Sequence, residues 1–127
     1  MKKRRTKPSR RAALGSQGER IAERLLRRAG LIVLARNWRG GGGELDRVLL
    51  EGDTLVFVEV KTRTAGFDGS PGSREYGPVS YAQRLRNRRA AQAFRRRYGV
   101  PDLRVRFDLI TVTGSRAEWE KDYYRAP

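Results

Sequence analysis

Two stretches rich in Val and Leu, residues 44–51 and 54–63, flank the dipeptide Gly52-Asp53. Two apolar strands joined by a two-residue loop with glycine first are typical of a β-hairpin with a type II′ turn. Counting outward from this loop along both strands places Asp46 directly opposite Glu59. Opposed residues of an antiparallel pair have Cβ atoms about 5 Å apart. The hairpin therefore predicts two neighbouring carboxylates on one face of a sheet.

Lys61 lies two residues beyond Glu59 and shares its face of the strand. Opposed like charges destabilise a sheet, and Mg²⁺ relieves them because it binds one or two carboxylates plus waters and phosphate oxygens. We therefore interpret Asp46 and Glu59 as ligands of Mg²⁺ or Mn²⁺. Lys61 would orient or deprotonate water and stabilise charge on a phosphorane. The alternative is a solvated surface in which Lys61 partly neutralises Glu59, and a register slip would move Asp46 to the opposite face.

A third acid lies on a predicted helix over residues 17–29, where apolar residues recur at helical spacing. Glu19 borders this apolar stripe and would look toward the sheet, so it is a candidate outer or third metal ligand. Ser16 offers a different role for Glu19, since the two residues have the spacing of a capping box. Gly30 is predicted to end the helix.

The remaining elements alternate in type along the chain. Residues 31–38 and 103–113 are predicted strands, and residues 79–98 are a predicted second helix. Residues 64–78 are rich in Gly and Pro, which is typical of a loop, and their length makes this loop a candidate functional segment. The sequence therefore predicts an α/β domain over residues 15–115, with an N-terminal helix, a central hairpin, a second helix and a final strand.

The net charge of +15 indicates a polyanionic partner, most often nucleic acid, whose phosphates release counterions when bound. Ribosomal RNA, an anionic membrane surface and a merely solvated basic exterior are the alternatives. Residues 1–14 are predicted to be a disordered basic arm, because dense like charges repel. Residues 116–127 are predicted to be a tail or short helix. The residues expected to contact phosphates are Lys2, Lys3, Arg4, Arg5, Arg84, Arg86 and Arg88.

The chain contains neither Cys nor His. Thiol nucleophiles, disulfides and histidine general bases are therefore excluded, and any chemistry falls to carboxylates and lysine. No apolar run approaches the roughly 20 residues that a membrane helix requires. We expect a cytoplasmic protein with no membrane partner. Asp108, on the final strand, is interpreted first as a structural partner for an arginine and only second as a site acid.

Five motifs carry a family resemblance: Gly18-Glu19, Arg36-Asn37-Trp38, Gly43-Glu44-Leu45-Asp46, Val56-Phe57-Val58-Glu59-Val60-Lys61-Thr62-Arg63 and Arg106-Phe107-Asp108. Over residues 15–112 the chain resembles the YraN family of bacterial proteins. That family is similar to PD-(D/E)xK nucleases and related in fold to archaeal Holliday-junction resolvases. The resemblance implies a restriction-endonuclease-like core with a mixed sheet. It also implies that Glu19, Asp46, Glu59 and Lys61 stand at the superfamily's active-site positions.

Two positions depart from the family pattern. Gln83 stands where the family usually has Lys early in the second helix, and Arg84 or Arg86 could replace that cation. Arg47 follows Asp46 where a hydrophobic residue is usual, which suggests a different edge to the sheet.

Resemblance and charge together lead us to expect a Mg²⁺-dependent nuclease-like protein that cleaves or processes DNA, with structured or branched DNA as a candidate substrate. DNA is favoured over RNA. An enzyme acting on a symmetric junction would require a twofold dimer, so a homodimer is a further expectation. The alternatives are a non-catalytic nucleic-acid-binding module that keeps the nuclease fold and a protein-interaction scaffold that uses the loop at residues 64–78.

Overall fold

The structure, a computed structural model, describes residues 10–63, 79–100 and 102–124, with side chains described from residue 15 onward. The elements are α1 (Arg10–Arg28), β1 (Ile32–Gly40), β2 (Gly43–Glu51), β3 (Thr54–Arg63), α2 (Tyr81–Tyr98), β4 (Arg104–Thr113) and β5 (Arg116–Glu120). The strands form one sheet in the order β1-β2-β3-β4-β5, and only the β3–β4 pair is parallel. The expected α/β class and mixed sheet are confirmed.

The hairpin between β2 and β3 has the expected loop. Glu51 pairs with Thr54 around Gly52-Asp53. Gly52 has φ 58°, and Asp53 keeps a negative φ, as a type II′ turn requires. Because this loop fixes the register, it also fixes which side chains of the two strands can meet at the far end.

The two helices pack against opposite faces of the sheet. On one face, Phe94 of α2 packs edge-on against Phe57, which stacks on Phe107 with ring centroids 5.4 Å apart. On the other face, Leu26 of α1 lies in a buried cluster with Val56. Neither helix in the described ranges has the length and apolar character needed to cross a bilayer.

The first helix is longer than predicted. It begins at Arg10, so Ser16 lies inside it and the predicted capping box with Glu19 does not form. Arg, Ala and Leu before Ser16 are good helix formers, which explains the extension. Residues 10–14 of the predicted basic arm are therefore helical, while residues 1–9 lie outside the described residues. So does the predicted functional loop at residues 64–78.

The predicted C-terminal tail or short helix is wrong for Arg116–Glu120, which form β5 and extend the sheet past the predicted domain limit. The strand follows a turn at Gly114, whose φ is 60°. Ala117 and Trp119 alternate with exposed charged residues, a period-2 pattern that is easily missed in so short and charged a segment.

Asp108 has the structural role that we expected first. It is fully buried and accepts two hydrogen bonds from Arg106, at 2.8 and 2.9 Å. Its oxygens also accept from Trp119 Nε1 and from the backbone N–H of Asp122. This carboxylate therefore ties β4 to β5 and to the following turn, and it is not available as a site acid.

The close approach of α1 to β3 generates a stability prediction. Gly18 is buried, and a Cβ there would overlap Thr62 Oγ1, whereas a Cβ at Gly15 would meet open space. We expect Gly18→Ala to lower the free energy of unfolding by about 1–3 kcal/mol through overpacking. Gly15→Ala in the same helix should raise it by about 0.5–1 kcal/mol. Denaturant unfolding measures both, and equal stabilisation by the two substitutions would contradict this packing.

Candidate functional site

The candidate site forms where β2 and β3 part. Their paired region ends with Arg47 opposite Val58. Hydrogen-bonded pairs alternate along an antiparallel ladder, so the Val60 N–H faces β2 at the next position. It donates instead to Asp46 Oδ2, at 2.9 Å. Asp46 thus replaces a backbone acceptor, and its carboxylate lies between the two strand ends.

Strand β1, on the other side of β2, is irregular at the level of Asp46. Asn37 of β1 has φ 47°, a conformation that Asn tolerates better than most residues. Leu45 and Val48 both reach the core on the α2 side, although strict alternation would place them on opposite faces. The alternation of β2 is therefore broken around Asp46, which explains why this side chain turns toward β3.

Glu59 and Lys61 are adjacent on β3, with Lys61 Nζ 3.3 Å from Glu59 Oε1. Gln83 joins them from α2, since its Nε2 donates to Glu59 Oε1 at 2.6 Å and its Oε1 accepts from Lys61 Nζ at 3.1 Å. The N-cap Ser80 fixes this turn of the helix, because its side chain accepts from the Gln83 N–H. Gln83 therefore positions both site residues of β3.

Sequence reasoning noted Gln83 only as a departure from a family pattern and did not predict these contacts. Ser80 and Gln83 have the capping-box spacing. That spacing marks the start of α2, and it was a usable signal for locating the Gln83 side chain in the first turn.

The carboxyl groups of the site are hard to ionise together. Burial raises the pKa of Glu59 to about 7, and the charge of Asp46 adds to the effect while Lys61 opposes it. Burial also raises the pKa of Asp46, although the Val60 N–H partly offsets this. Burial and then Asp46 raise the pKa of Glu19. The site is therefore partly desolvated, and the charge of Asp46 makes ionisation of Glu59 and Glu19 harder.

Arg47 of β2 places a positive charge beside the acids of α1. It is buried, donates to Glu23 Oε1 at 2.9 Å and to the Asp46 carbonyl at 2.7 Å, and lies 3.7 Å from Glu19. Glu23 is also held by Arg36, at 2.6 and 3.0 Å. The suggestion that Arg47 marks a different sheet edge is wrong, since it is an interior link between α1 and β2.

The donor set fits a hard divalent cation bound by two carboxylates. Asp46 and Glu59 offer oxygen ligands, and Mg²⁺ commonly completes its shell with waters and phosphate oxygens. In the part of the chain that the structure describes, no three His, Cys, Asp or Glu side chains are arranged to hold a metal. Glu19 therefore neighbours Asp46 without joining it in a three-carboxylate cluster, and its role as an outer group stays a prediction.

The predicted phosphate contacts lie in different settings. Arg84 donates to the Val79 carbonyl at 3.0 Å, and its guanidinium lies 5.9 Å from the centre of the Tyr124 ring. Arg86 and Arg88 are exposed on α2. The basic residues Lys2, Lys3, Arg4 and Arg5 lie outside the described residues. Contact with nucleic acid stays a prediction for all of them.

The raised pKa of Glu59 generates a pH prediction. The folded protein holds this proton up to about pH 7, while the unfolded chain releases it near 4.5, so its stabilisation is present at low pH and is lost as pH rises between these values. Each pKa unit is worth about 1.4 kcal/mol, so Glu59→Gln should gain about 3–4 kcal/mol over the wild type across this range. Denaturant unfolding at several pH values measures the difference. Glu118→Gln, at an exposed position of β5, is the control, and parallel profiles for wild type and Glu59→Gln would contradict the prediction.

Comparison with known proteins gives consistent matches. The sequence pattern of the uncharacterised protein family UPF0102 matches residues 18–112. A UPF0102 protein of Beutenbergia cavernae is 43% identical over 105 residues, which cover 83% of this chain and 86% of the relative. UPF0102 proteins of Nitratidesulfovibrio vulgaris strain DP4 and Streptomyces griseus are 46% and 48% identical, over 81% and 80% of this chain and 74% and 83% of those relatives. The resemblance found in the motifs is thereby confirmed, and the chain belongs to the UPF0102 family, which is the YraN family.

Proposed function

We propose that this protein is a divalent-cation-dependent phosphodiesterase that cleaves nucleic acid, DNA in preference to RNA. The observation that carries the proposal is the pair Asp46 and Glu59, two partly desolvated carboxylates beside Lys61 at the point where two strands part. Perturbed ionisation in such a cluster is typical of functional sites, because a fold gains nothing by gathering like charges.

Asp46 and Glu59 would hold Mg²⁺ or Mn²⁺. Such a cation, when bound, polarises a phosphoryl oxygen and lowers the pKa of its water. The ammonium group of Lys61 lies 3.3 Å from Glu59, where it can orient a water and stabilise charge on the phosphate. Gln83 holds Lys61 and Glu59 at a fixed spacing through its two hydrogen bonds. Glu19, adjacent to Asp46, would act as an outer group.

The substrate assignment is supported by charge. The net charge is +15, and Arg86 and Arg88 are exposed on α2, the helix that carries Gln83. Contacts from arginine to phosphate position a nucleic acid without reading its bases. The proposal therefore includes recognition of backbone and shape, with structured or branched DNA as the candidate substrate and the cytoplasm as the location.

A non-catalytic nucleic-acid-binding module is the second candidate, and one observation favours it. Lys61 and Gln83 already satisfy Glu59 Oε1, so the folded site is internally compensated on that side. The two candidates differ in whether a divalent cation binds and whether a phosphodiester bond is broken.

Substitution of site residues tests the catalytic candidate. Asp46→Asn and Lys61→Ala should each reduce Mg²⁺-dependent cleavage of linear or branched DNA at least a hundredfold, a loss typical of removing one electrostatic or acid–base group. Salt-sensitive DNA binding should remain. Asp53→Asn, at an exposed position of the hairpin loop, is the matched control. Unchanged cleavage in both site variants would contradict the assignment of these residues to an active site.

Thermal unfolding with added metal tests cation binding independently of cleavage. At pH 8, Mg²⁺ or Mn²⁺ should raise the Tm of the wild type, because an ion that binds only the folded state stabilises it. Asp46→Asn and Glu59→Gln should abolish the rise, while Asp53→Asn should keep it. A wild-type Tm that is indifferent to both ions, together with DNA binding that needs no metal, would favour the binding module.

A further inference from the structure

Acidic and basic residues of helix α1 lie on different faces of the helix. Its acids Glu19 and Glu23 face the arginines of β1 and β2. Its arginines Arg20, Arg24 and Arg28 are exposed and recur every four residues, so they form one row along the helix. We call these three residues the arginine row.

The arginine row borders an open groove of about 610 Å³ between α1 and the β4–β5 turn. Ile21, Leu25 and Ala117 line the groove beside the row, and none of the described acidic residues lines it. An adjoining cavity of about 240 Å³ shares Ile21 and adds Thr62 and Arg63. The concave basic surface therefore extends from the end of α1 to the end of β3.

The arginine row is unpaired within the described residues. In the described part of the chain, its three side chains make neither an ion pair nor a hydrogen bond, whereas Arg47 and Arg106 each bind carboxylates. Three guanidinium groups in a row repel one another, and binding of an anion from outside the described residues would relieve that repulsion. The row has the character of a surface that binds an extended polyanion.

We propose that the arginine row is a second nucleic-acid backbone site, separate from α2 and from the basic residues at the N-terminus. The row spans about 12 Å along the helix axis, since the rise is about 1.5 Å per residue. One strand of a duplex presents a phosphate about every 3.4 Å of its axis, so three to four phosphates pass over that length. The inference rests on the proposed function only for the choice of nucleic acid as the polyanion.

The floor of the groove favours nucleic acid over a membrane surface. Ile21 and Leu25 are partly buried and pack against the core on the α1 side of the sheet. A helix that lies in a bilayer interface presents large apolar side chains for insertion, and the groove face of α1 presents guanidinium groups instead. A phosphodiester strand needs only the charge and the concave shape.

The position of the groove links it to the candidate site. Gln17 and Gly18 line the smaller cavity, while the next residue, Glu19, neighbours Asp46. On β3, Thr62 and Arg63 line the same cavity directly after Lys61. A strand held by the arginine row therefore lies on the α1 face of the sheet, opposite to the face on which Lys61 meets Gln83, and it would approach the carboxyl groups from the side of Glu19.

Binding of a labelled DNA duplex in chelator, without divalent ions, tests the inference apart from any cleavage. The triple variant Arg20→Gln, Arg24→Gln, Arg28→Gln should bind at least tenfold more weakly at about 100 mM salt. Its slope of log affinity against log salt should fall by about 2–3, since each phosphate contact contributes about 0.9. The control triple Arg39→Gln, Arg104→Gln, Lys121→Gln removes the same charge from exposed positions outside both the groove and α2, and it should change the slope by less than about 1.

The outcomes separate this inference from the proposed function. An equal loss of slope in both triple variants, or no loss in either, overturns the inference even if the wild type cleaves DNA. Wild-type protein that fails to bind DNA, or a row variant that loses only binding to anionic vesicles, also overturns it. A selective loss of slope supports the inference even if no cleavage is found, and circular dichroism of each variant checks that the fold is intact.

Discussion

The hydrogen bond between the Asp46 carboxylate and the Val60 N–H organises the site. It takes the donor that would otherwise continue the β2–β3 ladder, and the two strands part where it forms. Once they part, Glu59 and Lys61 lie at an opening that α2 can reach with Gln83. A side chain that replaces a backbone acceptor costs little hydrogen-bond energy, because the number of bonds is conserved.

The same bond explains why the acids persist together. A buried carboxylate with a backbone donor retains some preference for its charged form, while burial and its neighbours act in the opposite direction. The positive charges of Arg47 and Lys61 favour the ionised carboxylates, Arg47 next to Asp46 and Lys61 next to Glu59. The carboxyl groups are thus buried and influence one another's ionisation, and a cation placed between them would favour their charged forms.

The sequence predicted the elements whose signals are local. The Gly52-Asp53 loop fixed the hairpin register, and Gly99 ended α2 in the left-handed conformation typical of a helix C-terminus. Pairing of Asp46 with Glu59 was expected from uniform alternation. The ladder ends one pair earlier, because the Asp46 side chain competes for a backbone donor, and strand periodicity carries no trace of such competition.

Long-range contacts account for the rest of the difference. The role of Gln83 depends on how α2 docks on β3, and the interior position of Arg47 depends on which carboxylates α1 brings to it. A charged segment such as Arg116–Glu120 becomes a strand because β4 offers an edge with which it can pair. Each of these features is decided by partners distant in the chain, and single-residue preferences carry no information about such partners.

Arg47 has an implication for divergence within the family. Its guanidinium group donates hydrogen bonds to Glu23 and to the main chain of β2, and Glu23 also accepts from Arg36. A relative with an aliphatic residue at this position would leave Glu23 to a single exposed arginine. Replacement at one of the three sites thus imposes selection on the other two, and these positions should covary as a set, although none of them is a proposed metal ligand.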